Sequence, residues 1–157
     1  MDIAKKIQKA SGSRFHLWKL NKILWIGIPF NKPHRFKILE IKKGYAKISI
    51  PFIKKNLNHI NTLHACSMAT CAEYTSGLVV GTYFNFKEYR LIMREINVEY
   101  LYQGKMDAYC TYSLHQSEFK KIIKNLESTD SYNLNAEIKC FDSNGNHLST
   151  GRVLWQI

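Results

Sequence analysis

The spacing of apolar and polar residues changes period several times along the chain, and each change marks an element. Residues 2 to 10 and 14 to 26 repeat their apolar positions at helical spacing, with Ser11-Gly12-Ser13 as the break and Pro29 and Pro33 stopping the second helix. From Phe36 the period falls to two. Phe36, Ile38 and Glu40 alternate with Lys37, Leu39 and Ile41, a turn follows at Lys43-Gly44, and Ala46, Ile48, Ile50 and Phe52 then oppose Tyr45, Lys47 and Ser49. This predicts a hairpin with one apolar face. After the polar segment Asn56 to Asn61 comes Thr62 to Val80, almost free of charge and rich in Ala, Cys, Met, Thr and Ser. A helix that is apolar on nearly all sides must be buried.

Alternation resumes at Arg90 and runs to about Tyr102, with Ile96, Val98, Tyr100 and Tyr102 on one face. Gly104 then predicts a turn that pairs this strand with Met106, Ala108, Cys110 and Tyr112. Ser117 is the expected N-cap of a short helix with Phe119, Ile122, Ile123 and Leu126 on its inner side. A strand from Tyr132 to Cys140, the turn pair Asn144-Gly145 and a last strand from Leu148 to Ile157 complete the chain. The predicted order is two strands, one long buried helix and four strands, with short connections that force antiparallel pairing. A curved sheet wrapped around the helix is the arrangement that buries it, an α+β hotdog fold. We expect a single domain over residues 1–157, with 1–30 as a helical appendage and 62–80 as the central helix. Such a unit leaves a sheet edge open, so a homodimer, or a dimer of dimers, joined edge to edge is expected.

The chain has 157 residues, 45% of them hydrophobic and 22% charged, which fits one folded domain and excludes the composition of a disordered chain. Cys66, Cys71, Cys110 and Cys140 form no C-x-x-C pair and no zinc spacing, so buried reduced thiols are expected, with no metal and no cofactor. The apolar stretch Ile23 to Phe30 is too short to span a bilayer and has no cleavage site after it, which makes cytoplasm the expected compartment. A formal net charge of +11 raises the question of nucleic acid. The basic residues run along the whole chain in short pairs, Lys5-Lys6, Lys42-Lys43, Lys54-Lys55 and Lys120-Lys121, with no basic tail. Nucleic acid is therefore disfavoured, and the same field suits a phosphate-bearing small ligand.

Apart from Cys66, Cys71 and Tyr74, the ionisable residues between Thr62 and Val80 are His64 and Glu73. Burying an unpaired carboxylate is costly, so Glu73 either meets a Lys or Arg, is neutralised, or sits where water reaches it. Nine residues turn a helix through about 180°, so His64 and Glu73 could share a site only across a two-fold axis. His64 is placed in the first helical turn, where free amides such as that of Ala65 favour an oxyanion. A histidine at a helix start is more often a capping or packing residue. Asn58 falls in the loop that approaches this helix end.

The run Asn58-Leu-Asn-His-Ile-Asn-Thr-Leu-His64-Ala-Cys-Ser-Met-Ala-Thr-Cys-Ala-Glu73-Tyr-Thr-Ser-Gly77 resembles the helix signature of the hotdog thioesterase superfamily, in particular its DUF4442 branch, which is similar to the phenylacetate-pathway (PaaI-type) acyl-CoA thioesterases. Those enzymes carry Asn, then His-Gly-Gly six residues on, then Asp or Glu nine residues after the His. Asn58, His64 and Glu73 match all three positions, while Ala65-Cys66 replaces Gly-Gly and Tyr89-Arg90-Leu91-Ile92 offers no counterpart of a Ser or Thr often present there. The resemblance implies hydrolysis of an acyl-CoA or acyl carrier protein thioester. It assigns Glu73 as general base or nucleophile, the Ala65 N–H as oxyanion donor, Asn58 to place water or thioester and His64 to orient the carbonyl. It implies an acyl groove along Ala69, Ala72 and Ser76, with Lys54, Lys55, Arg90 and Arg94 as candidates for the coenzyme phosphates. The competing readings are an acyl-CoA-binding or regulatory hotdog domain without catalysis, and nucleic-acid binding. A hotdog dehydratase is disfavoured by the short separation of His64 and Glu73.

Overall fold

The computed structural model describes residues 3–157. Helices α1 (Ile3–Ser11) and α2 (Arg14–Gly27) come first, and the expected start at residue 2 lies outside the described residues. Ser13 begins α2 by accepting the His16 N–H, which is why the break falls at Ser11-Gly12-Ser13. A 3-10 turn, Pro29–His34, leads into β1 (Lys37–Lys42) and β2 (Tyr45–Ile50). Gly44 makes their turn at φ +75, a left-handed conformation that suits glycine. Then follow α3 (Ala65–Val80), β3 (Ile92–Tyr100), β4 (Ala108–Ser113), α4 (Gln116–Leu126), β5 (Asn133–Asp142) and β6 (His147–Gln156).

The six strands form one antiparallel sheet in the order β1-β2-β4-β5-β6-β3. The sheet curves around α3, which packs on β2, β4, β5, β6 and β3. This is the expected α+β hotdog arrangement. Close approach is possible because small residues face each other: a Cβ on Gly151 of β6 would lie 2.9 Å from the Ala72 Cβ of α3. The buried hydroxyls of Thr75 and Ser76 donate to carbonyls one turn back, so polar side chains enter the core already paired.

Several boundaries and one pairing differ from the sequence reading. Helix α3 begins at Ala65, three residues later than predicted, because His64 is its N-cap. Helix α4 begins at Gln116 with His115 as N-cap, and Ser117 lies inside it. The strand that ends at Tyr100 does not turn at Gly104 to pair with β4. It pairs with β6, and β4 lies between β2 and β5. Gly104 serves a different purpose: its carbonyl accepts the Leu63 N–H at 2.8 Å, and a Cβ there would sit 2.8 Å from Leu63. The segment after β3 thus crosses beneath the start of α3. A register shift between Ile38 and Glu40 breaks the strict alternation of β1, which buries both Ile38 and Ile41. Of the four thiols, Cys71, Cys110 and Cys140 are buried, but Cys66 is exposed.

The two edges of the sheet are finished differently. On the β1 side, the buried Asn21 of α2 accepts the Ile38 N–H at 2.7 Å and donates to the Ile38 carbonyl at 3.2 Å, replacing a neighbouring strand. The Trp25 indole donates to the Phe36 carbonyl at 2.6 Å. Among the described residues, strand β3 has β6 on one side and no strand on the other, and its Ile92, Met93 and Tyr100 are exposed. Among the described residues, no helix is long and apolar enough to cross a membrane.

Candidate active site

The sheet covers most of α3 and leaves one stripe uncovered. Cys66, Ala69, Thr70, Glu73 and Gly77 recur at helical spacing and stay partly or fully exposed. Glu73 stands at the centre of this stripe, half-buried. No ion pair or hydrogen bond to its carboxylate is formed by any described residue. Desolvation alone pushes its pKa above the ordinary glutamate value. Among the described residues of one chain, no ion pair accounts for an acidic residue in this helix.

Glu73 lines a cavity of about 530 Å³ whose other walls are mainly apolar: Leu24 and Ile28 from α2 and its exit, Leu78 from α3, Phe86 and Tyr89 from the connection to β3, and Trp155 from β6. Arg90 and Ile92 also border it, which brings the cavity to the open β3 edge. The floor is held by the Trp155 indole, which donates to the buried Ser76 hydroxyl at 2.9 Å. That bond places Ser76 against the sheet, and Ala72 faces Gly151, so the expected groove along Ala69, Ala72 and Ser76 keeps only Ala69 on the open side. The cavity wall from α2 was not foreseen. Its signal is the apolar character of Ile23 to Ile28, which the sequence reading weighs as a membrane span and as part of a helical appendage.

The start of α3 forms a second centre. His64 Nδ1 accepts the Cys66 N–H at 3.0 Å, leaving its outer nitrogen toward solvent. The Ala65 N–H belongs to the first turn, which the helix cannot satisfy internally, and no described residue accepts it. Tyr100 of β3 donates its hydroxyl to the Ala65 carbonyl at 3.0 Å, tying the open edge to this helix end. Asn58 is occupied in its own loop: Oδ1 accepts the Ile60 and Thr62 N–H groups, and Nδ2 donates to the Thr62 hydroxyl at 2.8 Å. The fully buried Asn56, overlooked in the sequence, anchors the approach. Its carbonyl accepts the His64 N–H at 2.7 Å, its amide donates to the His34 and Pro51 carbonyls, and its Oδ1 meets the His34 ring at 2.9 Å.

Within one chain, Asn58, His64 and Ala65 do not line the Glu73 cavity. The predicted cations also separate. Lys54 and Lys55 share a surface depression with Lys32 and Arg35, two bases some twenty residues earlier that pattern reading could not join to them. Arg90 borders the Glu73 cavity, whereas Arg94 lies exposed on β3 beside a register shift.

The family model described as "Domain of unknown function (DUF4442)" matches residues 18–157. The chain belongs to the DUF4442 family. No curated protein matches this DUF4442 chain. Solved structures match it closely in shape. One from Pseudomonas aeruginosa, PA5026, described as a protein of unknown function and probable thioesterase, has a TM-score of 0.81 at 20% identity over 88% of this chain and 93% of that one. Thioesterase HI1161 from Haemophilus influenzae has a TM-score of 0.70 at 11% identity, covering 89% and 88%. Thioesterase SAV0944 from Staphylococcus aureus has a TM-score of 0.67 at 15% identity, covering 81% and 96%. At these identities the likeness establishes the hotdog fold of the DUF4442 chain.

Proposed function

We propose that this DUF4442 protein hydrolyses acyl thioesters, of coenzyme A or acyl carrier protein, at a site completed by a second copy of the chain. The observation that carries the proposal is Glu73: a half-buried carboxylate that forms no ion pair with any described residue, on the uncovered stripe of α3, facing a mainly apolar cavity. The thioesterases among its structural neighbours support the same reading. Two copies would join through their β3 edges. The Glu73 cavity of one copy would then lie near the α3 start of the other, since Ile92 borders the first and Tyr100 binds the second.

Glu73, acting as general base, takes a proton from water as the water oxygen bonds to the thioester carbon. The carbonyl electrons move onto oxygen, and the Ala65 N–H at the partner copy's helix start donates a hydrogen bond to that oxyanion. Collapse breaks the C–S bond, and the proton passes to the departing thiolate. Acting as nucleophile, Glu73 would instead attack the thioester carbon and expel the thiolate, forming a mixed anhydride that water opens to the free acid and the Glu73 carboxylate. His64, fixed by its bond to Cys66, steers the carbonyl end. Asn58 acts by shaping the loop in front of it. The acyl chain occupies the Glu73 cavity, and Lys54, Lys55, Lys32 and Arg35 form the basic depression suited to phosphates. Arg90 at the cavity and Arg94 on β3 remain candidates for the same anions.

The test is Glu73→Gln, measured on a panel of acyl-CoA esters by release of free thiol. Turnover is expected to fall by about 100-fold or more, with the thermal midpoint level or higher because a desolvated charge is gone. Normal turnover per folded molecule would remove Glu73 from the chemistry. Acyl-CoA binding without hydrolysis in the parent chain would instead support a binding domain, the reading that Ala65-Cys66 in place of Gly-Gly favours.

A further inference from the structure

Although basic residues run along the whole chain, acidic ones do not. Residues 1–37 hold nine Lys and Arg against a single acidic residue, Asp2, a net +8 of the formal +11. The same segment carries large apolar side chains on its outside. On α2, Phe15, Trp18 and Ile26 are 59%, 55% and 77% exposed, and Phe30 just beyond is 70% exposed. Helical spacing places Trp18, Lys22, Phe15, Ile26 and Lys19 within an arc of about 100°. The opposite side of α2 buries Leu20, Asn21 and Leu24, so this is the outward face of a firmly held helix.

We propose that the outer face of α2 docks on an anionic lipid bilayer. Aromatic and aliphatic side chains at the level of the headgroups, interleaved with lysines whose stems lie along the apolar surface, are the composition of an interfacial helix. Here the lysines already lie over the rings: Lys19 Nζ is 4.5 Å from the Phe15 ring centroid, and Lys22 Nζ is 5.9 Å and 4.8 Å from those of Trp18 and Trp25. Leu39 of the adjoining β1 is exposed beside the groove that Trp18 and Lys22 line, which extends the apolar face beyond one helix. A second copy of the chain is a poorer occupant, because it would bring two +8 segments together. Single-stranded nucleic acid is also poorer: Ile26 and Leu39 offer no ring to stack on, and Lys19 already lies over the Phe15 ring. The same helix places Leu24, and its exit places Ile28, in the wall of the Glu73 cavity. On the thioesterase reading, docking would set that cavity beside the phase in which long acyl chains reside. The docking itself does not depend on that reading.

The test is co-sedimentation of the full chain with vesicles of phosphatidylcholine alone and of phosphatidylcholine mixed with phosphatidylglycerol, at low and high salt. Binding to the mixed vesicles that weakens with salt is expected. Two variants with unchanged thermal midpoints should lose it: Phe15→Ala with Trp18→Ala, and Lys19→Glu with Lys22→Glu, the latter by roughly 30-fold or more. Absence of vesicle binding, or binding unaltered in both variants, overturns the proposal. So does self-association that the Phe15 and Trp18 changes abolish, or tighter binding to a single-stranded oligonucleotide than to the vesicles. Turnover on soluble short-chain esters is a separate readout, so failure of docking and failure of catalysis are told apart.

Discussion

The two edges of the sheet pose one physical problem and receive two answers. An exposed strand offers unpaired N–H and C=O groups to any passing strand. At β1 the chain answers within itself, with Asn21 taking both backbone groups of Ile38 and Trp25 taking the Phe36 carbonyl. At β3 it gives no such answer, and the strand keeps an open row with Ile92, Met93 and Tyr100 exposed beside it. The difference teaches that an edge covered in the same chain is structural, while an edge left open next to a cavity is available for assembly. The Glu73 cavity borders the open edge, and Tyr100 links that edge to the start of α3.

The strongest way to break the comparison is to block the open edge. Met93→Lys with Asn97→Lys places cations on exposed positions of β3 and should convert the proposed dimer to a monomer in analytical ultracentrifugation, with turnover down by about 100-fold or more as the shared site is lost. A monomer that keeps full turnover would show that one chain suffices. At the covered edge, Asn21→Leu keeps the volume but strands the Ile38 N–H and carbonyl, a cost of about 2–4 kcal/mol. The thermal midpoint should drop by roughly 5–10 °C, and association should turn non-specific as a second edge opens.

Asn58 sharpens the picture on a smaller scale. Asn58→Ala removes three side-chain bonds from the loop before α3 and should lower turnover while costing about 1–3 kcal/mol of stability. Asn58→Asp keeps the acceptors for Ile60 and Thr62, and should restore most of both if the residue acts through the loop. If the amide itself holds water, the Asp variant should stay slow despite its recovered stability.

The smallest expected effect is a pH dependence. Burial raises the Glu73 pKa above its unfolded value, so the protonated form is favoured by folding. Its contribution to stability is present in acid, below the ordinary glutamate range, and is lost as pH rises through the folded value. Glu73→Gln should therefore raise the thermal midpoint near neutral pH, with the gap closing in acid. Turnover, which needs the carboxylate, should fall on the acid side at a pH above the ordinary glutamate range.

Period and composition made most elements legible, because each is a local property. The two-residue alternation of the hairpin, the charge-poor run before Val80 and the turn glycines Gly44 and Gly145 needed no tertiary knowledge. Glu73 was legible for the same reason, as the one acidic residue in an apolar helix. Asn56 was not, since its partners His34, Pro51 and His64 lie apart in the sequence and any asparagine in a polar loop looks alike.

The sequence by itself determined which segments are helix or strand, that one helix is buried, and which of its residues is anomalous, because side-chain periodicity and burial cost act residue by residue. Tertiary structure alone decided that β3 joins β6 instead of the nearer β4, that Gly104 yields room to Leu63, and that Ala72 and Ser76 face the sheet while Glu73 faces a cavity walled by α2. Those outcomes depend on which distant surfaces fit together, and packing between elements leaves no period in the chain to read.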